Sequence, residues 1–360
     1  MFDVELVNRT PFAALSHVQI DGAGQEVLVI VLCATFAAGD QHEDEDDGRL
    51  GLAAIQDPVR FVDEPRADPA FSSTAFESDI APLKPRVDVL VHGHAHAPSG
   101  RAVGQIEVAL RLSSIHKRLR VTGDRQSKNG RPAPFERLPL VYERAFGGTT
   151  AKGECCLENP VGIGFRGAAS ADPTVGSAWP NIEHAEAAHR FDSPVPAGFG
   201  IVARHWAPRL SLAGTYDAHW LDEVWPLPPG DFDPLFNQSA PLDQQIDRVT
   251  GGESVEIQHM TPSGRWHFRL PRLDVPIHLV HADHVERVPT RIDTVAIHTD
   301  RRTVTLKARV AIPRIRNRPP LLAVVLGHAT PGWLLARQRL KVWQARPGFI
   351  DAAHAPCFHP

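Results

Sequence analysis

The sequence predicts a mainly β protein, with antiparallel sheets in a sandwich-like arrangement, long irregular connections rich in Gly and Pro, and few short helices. Its 360 residues include 32 prolines and 27 glycines, and this proline content is well above the ~5% of average proteins. Proline and glycine interrupt helices and start turns. Between them, several short segments alternate apolar and polar side chains, which is the period of a half-buried strand.

The first 38 residues predict a β-hairpin. Apolar positions from Val4 to Leu15 lead to the turn sequence Asp21–Gly24, and the β-branched run Val27–Ala38 returns. That run has twelve residues, fewer than the ~20 that a membrane-spanning helix needs. The next segment, Asp40–Asp47, has six acidic residues in eight positions. It lacks the spacing of a calcium-binding EF-hand loop, so we expect a solvated hairpin tip.

The segment Pro58–Pro85 is interrupted by prolines and is expected to be irregular, and Val87–His94 reads as a strand. His92, His94 and His96 follow at alternate positions, so their rings share one face if the strand continues. A row of imidazoles can bind zinc. This row supports an alternative function, a metal-dependent hydrolase that uses the three histidines with Asp88 or a distant aspartate. Hydrogen-bonded, half-buried histidines are the favoured interpretation.

The middle of the chain contains one further strand, Gln105–Leu112, and a locally basic segment, Arg111–Arg131. That segment has no interleaved aromatic residues, so it does not predict binding of single-stranded nucleic acid. It indicates a solvated hairpin or a patch for an acidic protein partner. Pro173–Pro208 is a long connection in which Glu183–Arg190 favours a short helix. The aromatic segment Tyr216–Pro241 either forms a binding surface or covers a sheet core.

The last third predicts consecutive hairpins of an antiparallel sheet or sandwich. Its strands alternate in polarity and are separated by Pro, Gly or Asp: Val255–His259, Trp266–Leu270, Ile277–His281, Arg291–His298, Thr303–Val310 and Leu321–Leu326. A short amphipathic helix is expected over Trp333–Trp343. We expect a single large β-rich domain over residues 1–318, with sub-lobes at about 1–140 and 200–318, and a C-terminal extension over 319–360.

Composition and charge narrow the function classes. The formal net charge of −4 gives no general case for nucleic acid or an anionic membrane. The four cysteines are not spaced as a zinc site, and we do not expect the first residues to act as a secretory leader. A cytoplasmic protein with reduced thiols and no cofactor, metal or small-molecule substrate is the expectation.

A glycine-rich stretch, Val141–Phe165, lies near the middle of the sequence. It contains neither of the glycine patterns GxxxxGK[ST] and GxGxxG that bind phosphates. The turn starter Asn159–Pro160 and the large residues between the glycines favour a sharply bent crossing of the core instead.

This stretch also belongs to a series of blocks, on both sides of it, that resembles one bacterial family, labelled domain of unknown function 2169. The blocks are YERAFGG, NPVGIGF, SDIAPLKPRVDVLVHGHAHAP, PNIE, PAGFG, WAPR, AGTYD, DFDPLFNQSAPLDQQ, GGE and DTVAIHTD. Together they cover roughly residues 1–310. The resemblance implies a non-enzymatic adaptor or chaperone that loads type VI secretion effectors onto the spike, which is built from VgrG- and PAAR-type proteins. A secreted spike component is a third possibility.

An adaptor needs a broad protein-binding surface, and aromatic and arginine side chains concentrate at such surfaces. No catalytic residue is predicted. The expected partner-binding residues are Tyr142, Arg144, Trp206, Arg209, Tyr216, Trp220 and Phe232.

Overall fold

The computed structural model describes residues 4–39, 48–125, 130–167, 179–186, 195–314 and 318–343, and the backbone of 358–359. Several mostly antiparallel sheets and a few short helices make up these residues, which confirms the predicted mainly β class. The strands are numbered β1 to β24 in chain order. Within the described ranges, no helix has the length and apolarity needed to cross a bilayer.

The largest sheet has seven strands, in the order β15-β7-β21-β22-β3-β2, with β4 paired to the end of β3. All of its pairs are antiparallel except β7 with β21. The strands are β2 (Ala13–Ile20), β3 (Glu26–Ala38), β4 (Leu50–Leu52), β7 (Val87–His92), β15 (Gln245–Ile246), β21 (Arg291–His298) and β22 (Thr303–Pro313).

A five-stranded sheet has the order β14-β10-β9-β16-β17. Its strands are β9 (Gln105–Leu112), β10 (Ile115–Thr122), β14 (Ile182–His184), β16 (Ser254–Gln258) and β17 (Arg265–Arg269). The predicted helix over Glu183–Arg190 is wrong at its start, because Glu183 pairs with Arg120 of β10. The rest of that segment, and the acidic segment Asp40–Asp47, fall largely outside the described residues.

A four-stranded sheet has the order β1-β23-β19-β20. Its strands are β1 (Glu5–Asn8), β19 (Ile277–His281), β20 (Val285–Val288) and β23 (Leu321–Leu326). The hairpin predicted within residues 1–38 is confirmed for β2 and β3. It is wrong for β1, which pairs in parallel with β23 instead. The chain turns between β1 and β2 because the Asn8 carboxamide accepts hydrogen bonds from the backbone and the hydroxyl of Thr10.

The remaining strands form short pairs: β5 (Glu64–Pro65) with β6 (Thr74–Phe76), β8 (His94–His96) with β11 (Arg137–Pro139), β12 (Phe146–Gly147) with β13 (Ile163–Gly164), and β18 (Arg272–Leu273) with β24 (Phe358–His359). Within the described ranges the α-helices are α1 (Ala207–Leu210) and α2 (Pro331–Gln338). Thr330 caps α2, which ends five residues before Trp343.

One continuous apolar core joins the three large sheets. It includes Leu32 and Val89 of the seven-stranded sheet, Leu110 and Phe268 of the five-stranded sheet, and Leu326 of the four-stranded sheet. Shared burial of this kind makes the sheets depend on one another for stability.

The glycine-rich stretch crosses this core, as predicted. Gly147 has a φ of 146°, and a Cβ there would lie 2.2 Å from the carbonyl oxygen of Asn159. The fully buried Asn159 carboxamide donates hydrogen bonds to the carbonyls of Tyr142 and Phe146, at 2.8 and 2.9 Å. Glycine permits the close approach, and the asparagine satisfies the carbonyls that the bend leaves without strand partners.

Candidate functional site

The three histidines of the predicted row are divided between two strands. The strand β7 ends at His92, because Gly93 has a φ of 153° and lies against the Thr299 side chain. The His92 ring stacks on that of His298, with ring centroids 4.9 Å apart. His94 and His96 lie on β8 instead. The ring nitrogens of the row therefore do not lie within 4.8 Å of one another as a set of three.

His94 and His96 both face one carboxylate, that of Asp300. The His94 Nδ1 lies 2.8 Å from Asp300 Oδ2, and the His96 Nε2 lies 3.6 Å from Oδ1. Arg137 contacts the same carboxylate at 3.0 Å. These contacts orient the two rings toward Asp300 at a partly exposed position.

The buried, stacked pair of His92 and His298 is electrically neutral at pH 7. Burial, together with the nearby charge of Arg301, lowers the pKa of His298 to about 4. Burial also holds the pKa of His92 well below its usual range, and His298 contributes. Two neutral rings can stack in the interior, whereas two imidazolium rings would repel each other and lose hydration.

A charged layer lies on the same face of the seven-stranded sheet and connects it to the irregular segments above it. We define this charged layer as Glu77, Asp79, Lys84, Asp88, Arg209 and Lys307. Lys84 Nζ lies 2.7 Å from Asp88 Oδ2, and Arg209 Nη2 lies 2.7 Å from Glu77 Oε1. Lys307 pairs with Asp79. Every charge of the layer therefore has an opposite charge beside it, as buried ions require.

Asp88 is the best-satisfied member of the charged layer. Besides Lys84, its carboxylate accepts bonds from the Gln238 side chain at 2.9 Å and from the backbone N–H groups of Ser239 and Ala240 at 2.8 and 3.1 Å. Burial alone would raise the pKa of Asp88. Its interactions with Lys84 and with these N–H groups outweigh burial and lower that pKa. The carboxylate is thus ionised and fixed, which indicates an architectural role.

A lysine of the predicted solvated hairpin is also buried. Lys117 Nζ lies 2.8 Å from both Asp243 Oδ1 and Gln244 Oε1. Burial lowers the pKa of Lys117, while Asp243 opposes that shift. At this position the prediction of a solvated hairpin is wrong, because the five-stranded sheet places the side chain under the segment that contains Gln244.

The predicted partner-binding residues fall into two groups. Tyr142 and Trp206 are buried and pack edge to face, with ring centroids 5.1 Å apart. Arg209 is buried within the charged layer, where it also donates to the carbonyls of Val202 and Phe236. Arg144 is half-buried and bonds to the side chains of Asp124 and Asn181. These four side chains hold parts of the chain together.

Phe232 is also partly buried and packs on Phe236, at 5.8 Å between ring centroids. Tyr216 and Trp220 belong to the second group. They lie in a segment between α1 and β15 that contains no strand, which we call the aromatic loop and define as residues Thr215–Leu227.

The rings of the aromatic loop pack against one another at the protein surface. Tyr216 and Trp220 pack edge to face at 4.6 Å, and Trp220 and Trp225 do so at 5.7 Å. Tyr216 is 56% exposed and Trp225 is 65% exposed, and Leu221 between them is 60% exposed. The set predicted from sequence omits Leu221 and Trp225. Only the density of aromatic residues around Trp225 indicated its importance.

Hydrogen bonds fix the shape of the aromatic loop. The Asp231 carboxylate accepts from the backbone N–H and the hydroxyl of Thr215, at 2.9 and 2.8 Å. Asp217 accepts from the backbone N–H of Trp220 at 2.8 Å, and the Trp220 indole donates to the carbonyl of Leu227 at 2.9 Å. These bonds fix the backbone at Thr215 and Trp220 and hold the half-buried Trp220 ring, against which the exposed rings of Tyr216 and Trp225 pack.

The sequence profile of a family described as "Uncharacterized protein conserved in bacteria (DUF2169)" matches residues 23–309. The chain belongs to this family. No curated protein and no solved structure is significantly similar to it.

The DUF2169 region contains the charged layer and the aromatic loop. It also contains β3 to β21 and most of β22, and so all of the five-stranded sheet and most of the seven-stranded sheet. Among the described elements, β1, β2, β23, β24 and the helix α2 lie outside it. Half of the four-stranded sheet is therefore built from residues that flank the DUF2169 region.

Proposed function

We propose that this DUF2169 protein is a non-enzymatic adaptor or chaperone. It binds a type VI secretion effector in the cytoplasm and helps load that effector onto the VgrG- and PAAR-type spike. The exposed aromatic loop is the observation that carries the binding part of the proposal. The type VI part is supported by the series of sequence blocks that resembles this family.

The aromatic loop has the properties of a protein-binding surface. Tryptophan and tyrosine supply a large contact area and lose little conformational freedom on binding, because each has only two side-chain torsions. The hydrogen bonds of Asp217 and Asp231 remove much of the remaining ordering cost before binding. Asp222 and Glu223 beside the rings favour a partner with basic residues.

The test is a binding titration of the purified full chain against purified type VI effector and spike proteins from the same bacterium. We expect one of them to bind, and the double variant Tyr216→Ala/Trp225→Ala to weaken that binding by about 30-fold or more. Phe71→Ala is the matched control, because Phe71 is an aromatic residue that is 77% exposed in another segment. Its affinity should equal that of the wild type.

Two results would contradict the proposal in different ways. If the double variant binds its partner as tightly as the wild type, the partner surface lies outside the aromatic loop. The absence of binding to every effector and spike protein would reject the adaptor function itself. Cell fractionation then separates an adaptor, which stays in the cell while the effector is secreted, from a secreted spike component, which appears in the medium with it.

A further inference from the structure

The tight turn between β19 and β20 brings three metal-binding side chains together. His281 ends β19, His284 lies in the turn, and Glu286 lies on β20. One ligand atom from each of these residues lies within 4.8 Å of the other two. The backbone N–H of His281 donates to the carbonyl of His284 at 2.9 Å and holds the turn closed. We propose that these three side chains bind a divalent transition-metal ion, and that Zn²⁺ fits them best.

His281 presents a ring nitrogen suited to a metal. The residue is 6% exposed, and its Nδ1 lies 3.2 Å from the carbonyl oxygen of Pro319. A carbonyl only accepts, so Nδ1 has the proton and Nε2 has the free lone pair. That Nε2 is buried and has no hydrogen-bond partner among the described residues. Buried polar atoms rarely remain without a partner, and a metal ion would supply one.

His284 is oriented in the way that metal-binding histidines usually are. Its Nδ1 lies 2.6 Å from Asp283 Oδ1, so a carboxylate holds one ring nitrogen and leaves Nε2 available. A carboxylate or carbonyl on the second nitrogen is the common outer contact of histidine ligands. The rings of His281 and His284 are stacked 4.5 Å apart and are nearly parallel, at 6°. The two imidazoles are therefore close neighbours, and a ring nitrogen of each lies within 4.8 Å of the other and of a Glu286 oxygen.

Two imidazoles and one carboxylate suit zinc among the common divalent ions. Ligands of a tetrahedral zinc ion lie about 3.3 Å apart, because each bond is about 2.0 Å long. The three ligand atoms here lie within 4.8 Å of one another. Rotation of the exposed His284 side chain can bring them closer to the zinc spacing, because His284 lies in a turn beside the edge strand of the sheet. Three protein ligands leave at least one position for water or for a side chain of another molecule.

The test uses the full chain, stripped with a chelator and dialysed, and then equilibrated with Zn²⁺ alone. Elemental analysis gives the stoichiometry, and competition with a chromophoric chelator gives the affinity. We expect one zinc ion per chain in the wild type and none in His284→Ala under the same conditions. Asp283→Asn should weaken binding by about 10- to 100-fold, because it removes the group that orients His284.

His116→Ala is the matched control, because His116 is exposed on β10 of another sheet. Its zinc content should equal that of the wild type. An unchanged zinc content in both His284→Ala and Glu286→Gln would overturn the proposal and assign the metal to other histidines among the 19 in the chain. A wild type without zinc would overturn it directly. His284 and Glu286 are chosen because they are more exposed than His281, and circular dichroism verifies that both variants are folded.

Discussion

The two tyrosines of this chain are both packed edge to face against a tryptophan, but in opposite environments. Tyr142 and Trp206 lie in the interior, at 5% and 1% exposure, whereas Tyr216 next to Trp220 is 56% exposed. The ring geometry is similar in both pairs, so geometry does not decide the role. The surroundings decide it: the backbone of Gly198 covers the Tyr142 ring, while Tyr216 lies in a loop outside the sheets. The same residue pair stabilises the fold in one place and forms a candidate binding surface in the other.

The largest effect among the tests of this comparison is expected from Trp206→Ala. The variant should lower the free energy of unfolding by about 3–5 kcal/mol, because it removes a fully buried indole from a well-packed core. Urea unfolding monitored by circular dichroism measures the change. A loss below about 1 kcal/mol would show that the buried pair contributes no more than a surface contact.

Burial also changes the pKa of ionisable groups, and this change makes the stability of the protein depend on pH. Burial lowers the pKa of His298 from 6.5 to about 4, so the unfolded chain binds more protons within that range of pH. The stability contributed by neutral His298 is complete above pH 6.5 and is lost as the pH falls toward 4. The loss amounts to about 3 kcal/mol.

Urea unfolding at several values of pH measures this dependence. His298→Gln should have a flatter profile than the wild type between pH 6.5 and 4. Comparison at pH 8, where the imidazole is neutral in both the folded and the unfolded chain, gives the constant cost of the substitution. Equal slopes in the two proteins would assign the acid sensitivity to other groups.

A smaller effect is expected from Gly198→Ala, which tests the contact that covers Tyr142. The added Cβ would lie 2.7 Å from the Tyr142 ring, and the ring is held by Trp206 on another side. The variant should lose about 1–3 kcal/mol of stability through overpacking. Gly200→Ala is the control, because no atom lies within 4 Å of a Cβ at that position. Equal losses in both variants would reject the steric explanation.

The smallest effect should come from Trp225→Ala in the aromatic loop. Because Trp225 is 65% exposed, its removal should change the free energy of unfolding by no more than about 0.5 kcal/mol. The same urea experiment measures it. A loss as large as that of Trp206→Ala would show that the aromatic loop contributes to the cooperative core. It would contradict the distinction between the buried pair and the exposed loop.

The sequence was sufficient for the fold class and for many strands, because period-two alternation is a local signal. Ile277–His281 and Arg291–His298 are strands with the predicted bounds. The partner of β1 was not predictable in this way, since β23 lies more than 300 residues later in the chain. Alternation also predicted that His92, His94 and His96 would lie on one face of a strand if that strand continued. The strand instead ends at His92, because of the conformation of Gly93, so the three rings do not share a face.

The candidate site was predictable only in part. Aromatic density indicated Tyr216 and Trp220, but it selected the buried Tyr142 and Trp206 by the same criterion. Exposure depends on what distant segments cover, and a single sequence does not show that. The cluster at His281 required the closed turn and the neighbouring Pro319 carbonyl, which are likewise features of the folded chain.

The parallel pairing of β1 with β23 has a consequence for the order in which the protein folds. The strand Leu321–Leu326 lies between β1 and β19. Until these late residues have been synthesised, β1 lacks its partner in this sheet and β19 is paired on one side only, with β20. At 5–20 residues per second, about 15 to 60 s separate the synthesis of Val7 from that of its partner Val325. Throughout that time β1 lacks β23, and the open edge of β19 is added once Ile277–His281 has been synthesised. The ribosome-bound chain is therefore most prone to pairing with other chains after β19 has been synthesised and before β23 has been synthesised.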